Sequence, residues 1–288
     1  MGTVQTVTED PLTKEDVDFF WDQGYLAVRG VLSPDEAKHF ARLILDLLPR
    51  DLHIPSYWES FAGRIKPFYT PGNQTFDGPE FIPLYQNPTL YEVMAQLHRH
   101  PNLLVRDGSV GITLRNDART DSPLSQDLHL DAAVPENDNF LFTPEEVEIG
   151  GCYYFTDVEP DGGGIHVVPG GHRIVEAEAR AAEKGRHLYD MWDCIPHLDT
   201  VEVTGQAGDF VLMHHLMPHA ASHNRRPTTR LAQFIRYWRD DGPYQVGERP
   251  GDPPADRTFN DLQLKAMSPL GRRLFGVDPW PEPHLEEI

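Results

Sequence analysis

The chain has 288 residues, enough for one large domain or two small ones with a sizeable core, and its 39% hydrophobic and 24% charged residues exclude a disordered chain. Twenty-five basic residues against 45 acidic ones leave a net charge of -20, a field that repels phosphate backbones and anionic membranes, and no apolar run is long enough to span a bilayer, so nucleic acid and membrane are excluded as partners. Two cysteines cannot build a disulfide framework and the polar first ten residues lack the regions of a secretory signal, which points to a cytoplasmic setting.

The first hundred residues read as helical. Thr13 and Asp16 have the spacing of a capping pair, Val17, Phe20 and Trp21 share the face that follows, and Gly24 stops the helix. A short strand over residues 25–29 comes next. Ser33, Pro34 and Glu36 form a stronger start signal, after which Ala37, Phe40, Ala41, Ile44, Leu47 and Leu48 fall on one stripe. Residues 67–83 are rich in proline, glycine and aromatics and read as a loop. Asn87-Pro88 opens another helix, with Leu90, Val93, Met94 and Leu97 as its buried side.

From residue 103 the pattern changes to short strands between turns, at 103–114, 126–133, 149–155, 165–168, 200–203, 209–213 and 230–238. An alanine- and charge-rich stretch, 173–189, interrupts them as a surface helix. Residues 240–256 read as a long loop before a short helix. The expected organisation is one domain over 1–288: a helical part (1–102) packed on a β-sandwich or barrel (103–238), then the C-terminal loop and helix (239–288).

Fourteen histidines are the unusual entry in the composition. His129-Leu130-Asp131 places an imidazole and a carboxylate two residues apart, on the same face of a strand. A third ligand for one metal is available from His214, His215 or His219, which follow a strand. Arg230 opens an apolar strand eleven residues after His219, and a guanidinium there needs an anion. Two histidines and one carboxylate leave positions open on a metal, which suits non-haem Fe(II); a structural zinc site would be closed by four ligands.

At these residues the sequence resembles the Fe(II)- and 2-oxoglutarate-dependent oxygenases of the phytanoyl-CoA dioxygenase type. The resemblance runs from Leu12 to Trp238 and includes Phe20, Gly24-Tyr25, Val31-Leu32-Ser33, the run Phe155-Thr156-Asp157-Val158, Gly164, the turn Pro169-Gly170-Gly171-His172-Arg173, Gly208-Asp209 and the interval from His219 to Arg230. It implies a mainly β fold with flanking helices: a double-stranded β-helix, a cupin-like jelly-roll, with N-terminal helices packed on it. It further implies Fe(II) bound by His129, Asp131 and His219, and 2-oxoglutarate and O2 as co-substrates. Arg230 then holds the distal carboxylate of 2-oxoglutarate, with Gln126 and Thr113 as further contacts. Where some relatives have a serine two residues after the last histidine, this chain has Ala221. Laying another relative's motif directly on the sequence would put Ser125 and Asp127 in the triad, and serine is a poor Fe(II) ligand, so His129 and Asp131 are the better chemical choice.

The expected activity is oxidation of an unactivated C–H bond, by hydroxylation or by oxidative cyclisation or desaturation. The acidic chain favours a neutral or cationic small-molecule substrate over an acyl-CoA. Arginine and proline abundance suits GC-rich bacteria, where such enzymes serve natural-product and antibiotic biosynthesis. An acyl-CoA hydroxylase and a metal-binding jelly-roll that uses no 2-oxoglutarate are the alternatives. A monomer or homodimer is expected.

Overall fold

A computed structural model describes residues 6–7, 12–46, 64–65, 78–115, 128–130, 148–181, 199–241 and 259–281. A two-residue strand, β1 (Thr6–Val7), precedes α1 (Lys14–Gln23), which begins as expected: the Thr13 hydroxyl accepts from the Asp16 amide and the Asp16 carboxylate accepts from the Thr13 amide. Gly24 ends it with φ at 80° and donates its amide to the Phe20 carbonyl. An alanine Cβ there would collide with the His172 ring and the Met217 methyl. Gly24→Ala should therefore lower stability by about 1 kcal/mol from the left-handed backbone alone, with the collision adding to it. Urea unfolding reads this directly, and an unchanged midpoint would mean that the turn relaxes at no cost.

β2 (Tyr25–Val28) leads into α2 (Pro34–Asp46), where the Ser33 amide donates to Glu36 at 2.8 Å and the Glu36 amide to the Ser33 hydroxyl at 3.3 Å. Ala37, Phe40 and Ile44 are buried as expected, whereas Leu47 and Leu48 lie outside the described residues. After β3 (Arg64–Ile65) the expected loop needs correction. Residues Pro79–Phe81 form a 3-10 turn that runs into α3 (Ile82–Tyr85). The prolines stand in first turns, where no backbone donor is needed, and burial of Phe81, Ile82, Leu84 and Tyr85 stabilises the helical path. In α4 (Pro88–His98) the Asn87 side chain caps Leu90, and Leu90, Val93, Met94 and Leu97 are all buried.

The remaining strands are β4 (Leu103–Thr113), β5 (Ile149–Tyr154), β6 (Ile165–Val167), β7 (Val201–Val203), β8 (Phe210–His214), β9 (His219–Ala221) and β10 (Arg230–Arg239). Helix α5 (Gly171–Ala181) follows β6, starting two residues before the expected position; residues 182–189 lie outside the described set. The single C-terminal helix expected is two, α6 (Asp261–Ala266) and α7 (Pro269–Leu274). Met267 is extended, and Ser268-Pro269 caps a fresh start. Of the expected strand over 126–133, only 128–130 are described, and β9 had no separate expectation.

These strands make the expected jelly-roll core from two sheets. The larger has the order β1-β2-β8-β5-β10-β4-β3 and the smaller β7-β6-β9, with every pairing antiparallel except β1 with β2. Alternation gives the large sheet two apolar faces. Leu212, Ile149, Tyr153, Leu231, Ile235 and Tyr237 pack with the helices. Tyr25, Val211, Cys152, Tyr154 and Ala232 point the other way and meet Ile165, Val167 and Val203 of the small sheet. The site lies in that inter-sheet interior. β4 carries one extra residue against β10, since Gln233 pairs with Val110 and Ile235 with Asp107. The Gln233 amide nitrogen sits on this bulge, 3.2 Å from the Gly108 carbonyl, 2.9 Å from that of Phe234 and 3.0 Å from the Tyr85 hydroxyl.

Candidate metal centre

His129 and His219 meet across a two-residue antiparallel bridge, with reciprocal N–H to O=C bonds of 2.9 and 3.0 Å. Residues paired in this way project to one face, and the two rings lie 4.5 Å apart at 46°. His219 is buried, and its Nδ1 donates to the Met217 carbonyl at 2.9 Å. A carbonyl can only accept, so Nδ1 carries the proton and Nε2 the lone pair. That is the arrangement of a metal-binding imidazole held by a backbone acceptor. Asp131 and Gln126 lie outside the described residues.

Arg230 is 3% exposed at the start of β10 and faces the interior. Its Nη2 donates to the Thr113 hydroxyl at 2.8 Å, across the β10–β4 pair. Its Nε and Nη1 are buried, and neither has a hydrogen-bond partner among the described residues. Gly111 leaves the guanidinium its space, since a Cβ there would stand 3.4 Å from Nη2. A buried cation with orphaned donors costs several kcal/mol unless an anion completes it. A carboxylate matches the edge of the fork that carries Nε and Nη1. Asn224, which no sequence signal marked, fixes this corner: its Nδ2 donates to the Thr113 carbonyl at 3.1 Å and to that of Thr228 at 2.7 Å. Ser222 bonds Glu202 at 3.0 Å.

The structure separates the rival histidines from this pair. His214 and His215 stack at 4.5 Å, and His214 lies 5.0 Å from His172. Together with His98 they form a buried cluster beside the turn that leads to His219. Burial holds His98 and His215 down at a pKa of about 3, pushes His214 well below the ordinary value and lowers His172. His172 Nε2 donates to the Trp21 carbonyl at 3.0 Å, tying α5 to α1. His166 bonds the Thr200 hydroxyl at 2.9 Å. Asp209 accepts from the Gln206 and Gly30 amides and pairs with Arg29, which fixes a turn.

Ligand-like spacing also occurs at His100, Asp240 and Asp241. There the Arg239 fork already holds Asp241 at 2.8 and 2.7 Å, and His100 Nδ1 is engaged by the Asn102 backbone. It is a surface ion-pair cluster, remote in topology from the inter-sheet interior. Sequence reasoning also missed Arg236, whose side chain lies on the same face of β10 as Arg230 and pairs with Glu148 at 3.4 Å. Even spacing from Arg230 was the signal that could have found it.

The profile of the phytanoyl-CoA dioxygenase family matches residues 20–232. No curated protein matches the sequence. Among solved structures, the chain resembles the non-heme alpha ketoglutarate dependent carbocyclase SnoK from nogalamycin biosynthesis, at 22% identity and a TM-score of 0.54, over 90% of this chain and 98% of that one. It resembles the epimerase SnoN of the same biosynthesis at 19% identity and 0.55, over 83% and 94%. HygX from Streptomyces hygroscopicus, with nickel and 2-oxoglutarate bound, matches at 18% and 0.54, over 80% and 88%.

Proposed function

Since the chain belongs to the phytanoyl-CoA dioxygenase family of non-haem Fe(II)/2-oxoglutarate-dependent oxygenases, we propose that it oxidises an unactivated C–H bond of a neutral or cationic small molecule in natural-product biosynthesis, in the cytoplasm. His129, Asp131 and His219 hold Fe(II), and Arg230 holds the distal carboxylate of 2-oxoglutarate. Thr113 fixes the guanidinium from behind, and Gln126 is a further co-substrate contact. The observation that carries this reading is Arg230, a buried cation with two donors that have no partner among the described residues, in the interior lined by the His129–His219 pair. Bound iron with 2-oxoglutarate supplies the oxidising power for the C–H bond. The residues do the rest: the Met217 carbonyl keeps His219 in its ligating tautomer, and Arg230 sets the orientation of the co-substrate. The apolar walls around Tyr154, Cys152 and Val167 exclude water.

A net charge of -20 disfavours an acyl-CoA, and the SnoK and SnoN resemblance supports a natural-product setting. Anaerobic addition of Fe(II) and 2-oxoglutarate should give a visible charge-transfer band. Asp131→Ala and His219→Ala should each abolish that band and substrate-dependent succinate release. Succinate release retained in both variants would end the assignment.

A further inference from the structure

Arg230 has two separate anchors. Thr156 fixes its backbone: the Thr156 hydroxyl donates to the Thr229 carbonyl at 2.8 Å and accepts from the Leu231 amide at 3.1 Å, on either side of the arginine. Thr113 fixes its side chain, and Thr113 is the last residue of β4, where the ladder with β10 stops. A threonine has three staggered χ1 positions, so something beyond the ladder must select the one that puts its hydroxyl on the guanidinium.

Asn224 stands where it can do this. It is fully buried in the loop between β9 and β10, and its backbone forms bridges to Gly162 and to Arg115. Its Nδ2 is divided between the Thr113 and Thr228 carbonyls, and its Oδ1 accepts from the Arg226 amide at 2.8 Å. Two donors and an acceptor at this size are the inventory of asparagine; serine and threonine have one donor and an ionised aspartate none. The same loop seats the turn that carries Gly163, through the Gly162 bridge and the Arg225 amide, which donates to the Asp161 carbonyl at 2.7 Å. A Cβ on Gly163 would stand 3.0 Å from Thr113 Cγ2 and 3.1 Å from Asn224 Cβ, so this turn closes on the threonine methyl. Methyl against Gly163 and hydroxyl on Nη2 together describe a single rotamer of Thr113.

We propose that Asn224 is a positioning residue for 2-oxoglutarate: acting through Thr113, it aims the Arg230 fork at the distal carboxylate. This rests on the reading of Arg230 given above and adds the residue that sets its aim. Thr156 already holds the strand, so the contribution of the asparagine is the end of β4. Without its amide, Thr113 is free to turn about χ1 and Nη2 loses a fixed acceptor. The guanidinium then spreads over orientations of which only some meet a carboxylate with two parallel bonds. The effect falls on the co-substrate rather than on Fe(II).

The test is a double-mutant cycle on 2-oxoglutarate affinity. Protein loaded anaerobically with Fe(II) is titrated with 2-oxoglutarate and read by the visible band, for the parent, Asn224→Ala, Thr113→Val and the double variant. Each single variant is expected to raise the Kd about fivefold, and the double variant to lie within about twofold of Thr113→Val, because the two residues act in series. Fe(II) affinity is expected to stay within about twofold of the parent. Fold-changes that multiply, a Kd for Asn224→Ala within about twofold of the parent, or an equal loss of Fe(II) affinity overturns the proposal and leaves the asparagine a loop staple. If Asn224→Ala shows no cooperative melting, Asn224→Asp takes its place with the same expectation, since it keeps an acceptor for the Arg226 amide and lacks the amide donors. Absence of the band in the parent removes the metal reading, and this one with it; a band in the parent with an uncoupled cycle removes this proposal alone.

Discussion

Arg230→Met is expected to raise the KM for 2-oxoglutarate at least about a hundredfold, the cost of roughly 3 kcal/mol for losing a buried charge-assisted contact. The apo protein should be as stable as the parent or more so. The arginine is 3% exposed and, among the described residues, Nε and Nη1 have no partner, so methionine removes a buried cation while keeping similar bulk. A ligand-linked readout separates the two effects. At a hundred times its Kd, 2-oxoglutarate should stabilise the metal-loaded parent by about 2.7 kcal/mol and the variant hardly at all. Thr113→Val should act in the same direction but more weakly, because it releases only the 2.8 Å tether on Nη2. Undiminished stabilisation of Arg230→Met by 2-oxoglutarate would make the arginine structural and remove it from the co-substrate site.

Acid should unfold this protein earlier than its carboxylates alone would require. His98 and His215 sit near a pKa of about 3 in the folded chain because burial penalises their charged forms, against 6.5 when unfolded. The unfolded chain binds the extra protons, so stability is fully present above pH 6.5 and is lost as pH falls from there toward 3. At pH 5 the loss is about 2 kcal/mol for each of these two residues, with His214 and His172 acting in the same direction. Near this cluster, Arg239, His100 and Arg173 lower these values further, whereas Glu176 and Asp22 raise that of His172. A urea midpoint flat between pH 8 and 5 would contradict it. His215→Phe should flatten the profile by about half of the two-residue loss.

Much of the scaffold was legible because its signals are local. Thr13 with Asp16, Ser33 with Glu36, and Asn87-Pro88 each solve the problem of unsatisfied amides at a helix start within four residues. The inward apolar strands read correctly for the same reason. His129 and His219 were legible through type and interval, but their meeting depends on a bridge between segments ninety residues apart, which no window reveals. The separation of His214 and His215 from them is likewise a tertiary fact. Pro79 to Pro83, the end of the expected loop, turned out helical because proline was read as a breaker, whereas the burial of Phe81, Ile82, Leu84 and Tyr85 decided the outcome. Asn224 and Glu148 act through partners distant in sequence and left no local trace.

The extra residue in β4 has an effect on the co-substrate corner that alternation alone would hide. Before the bulge the odd-numbered residues Leu103 and Val105 face the helices; after it the even-numbered Val110 and Ile112 do. The inserted residue inverts the parity of the strand, and only the inverted frame turns Thr113 toward the guanidinium of Arg230. Were the same residues to run on without the bulge, the register would place Ile112, a side chain with no acceptor, opposite Arg230 instead. The chemistry at the end of β4 is set by a reading-frame shift in the fold between Asp107 and Val110, pinned by the amide of Gln233.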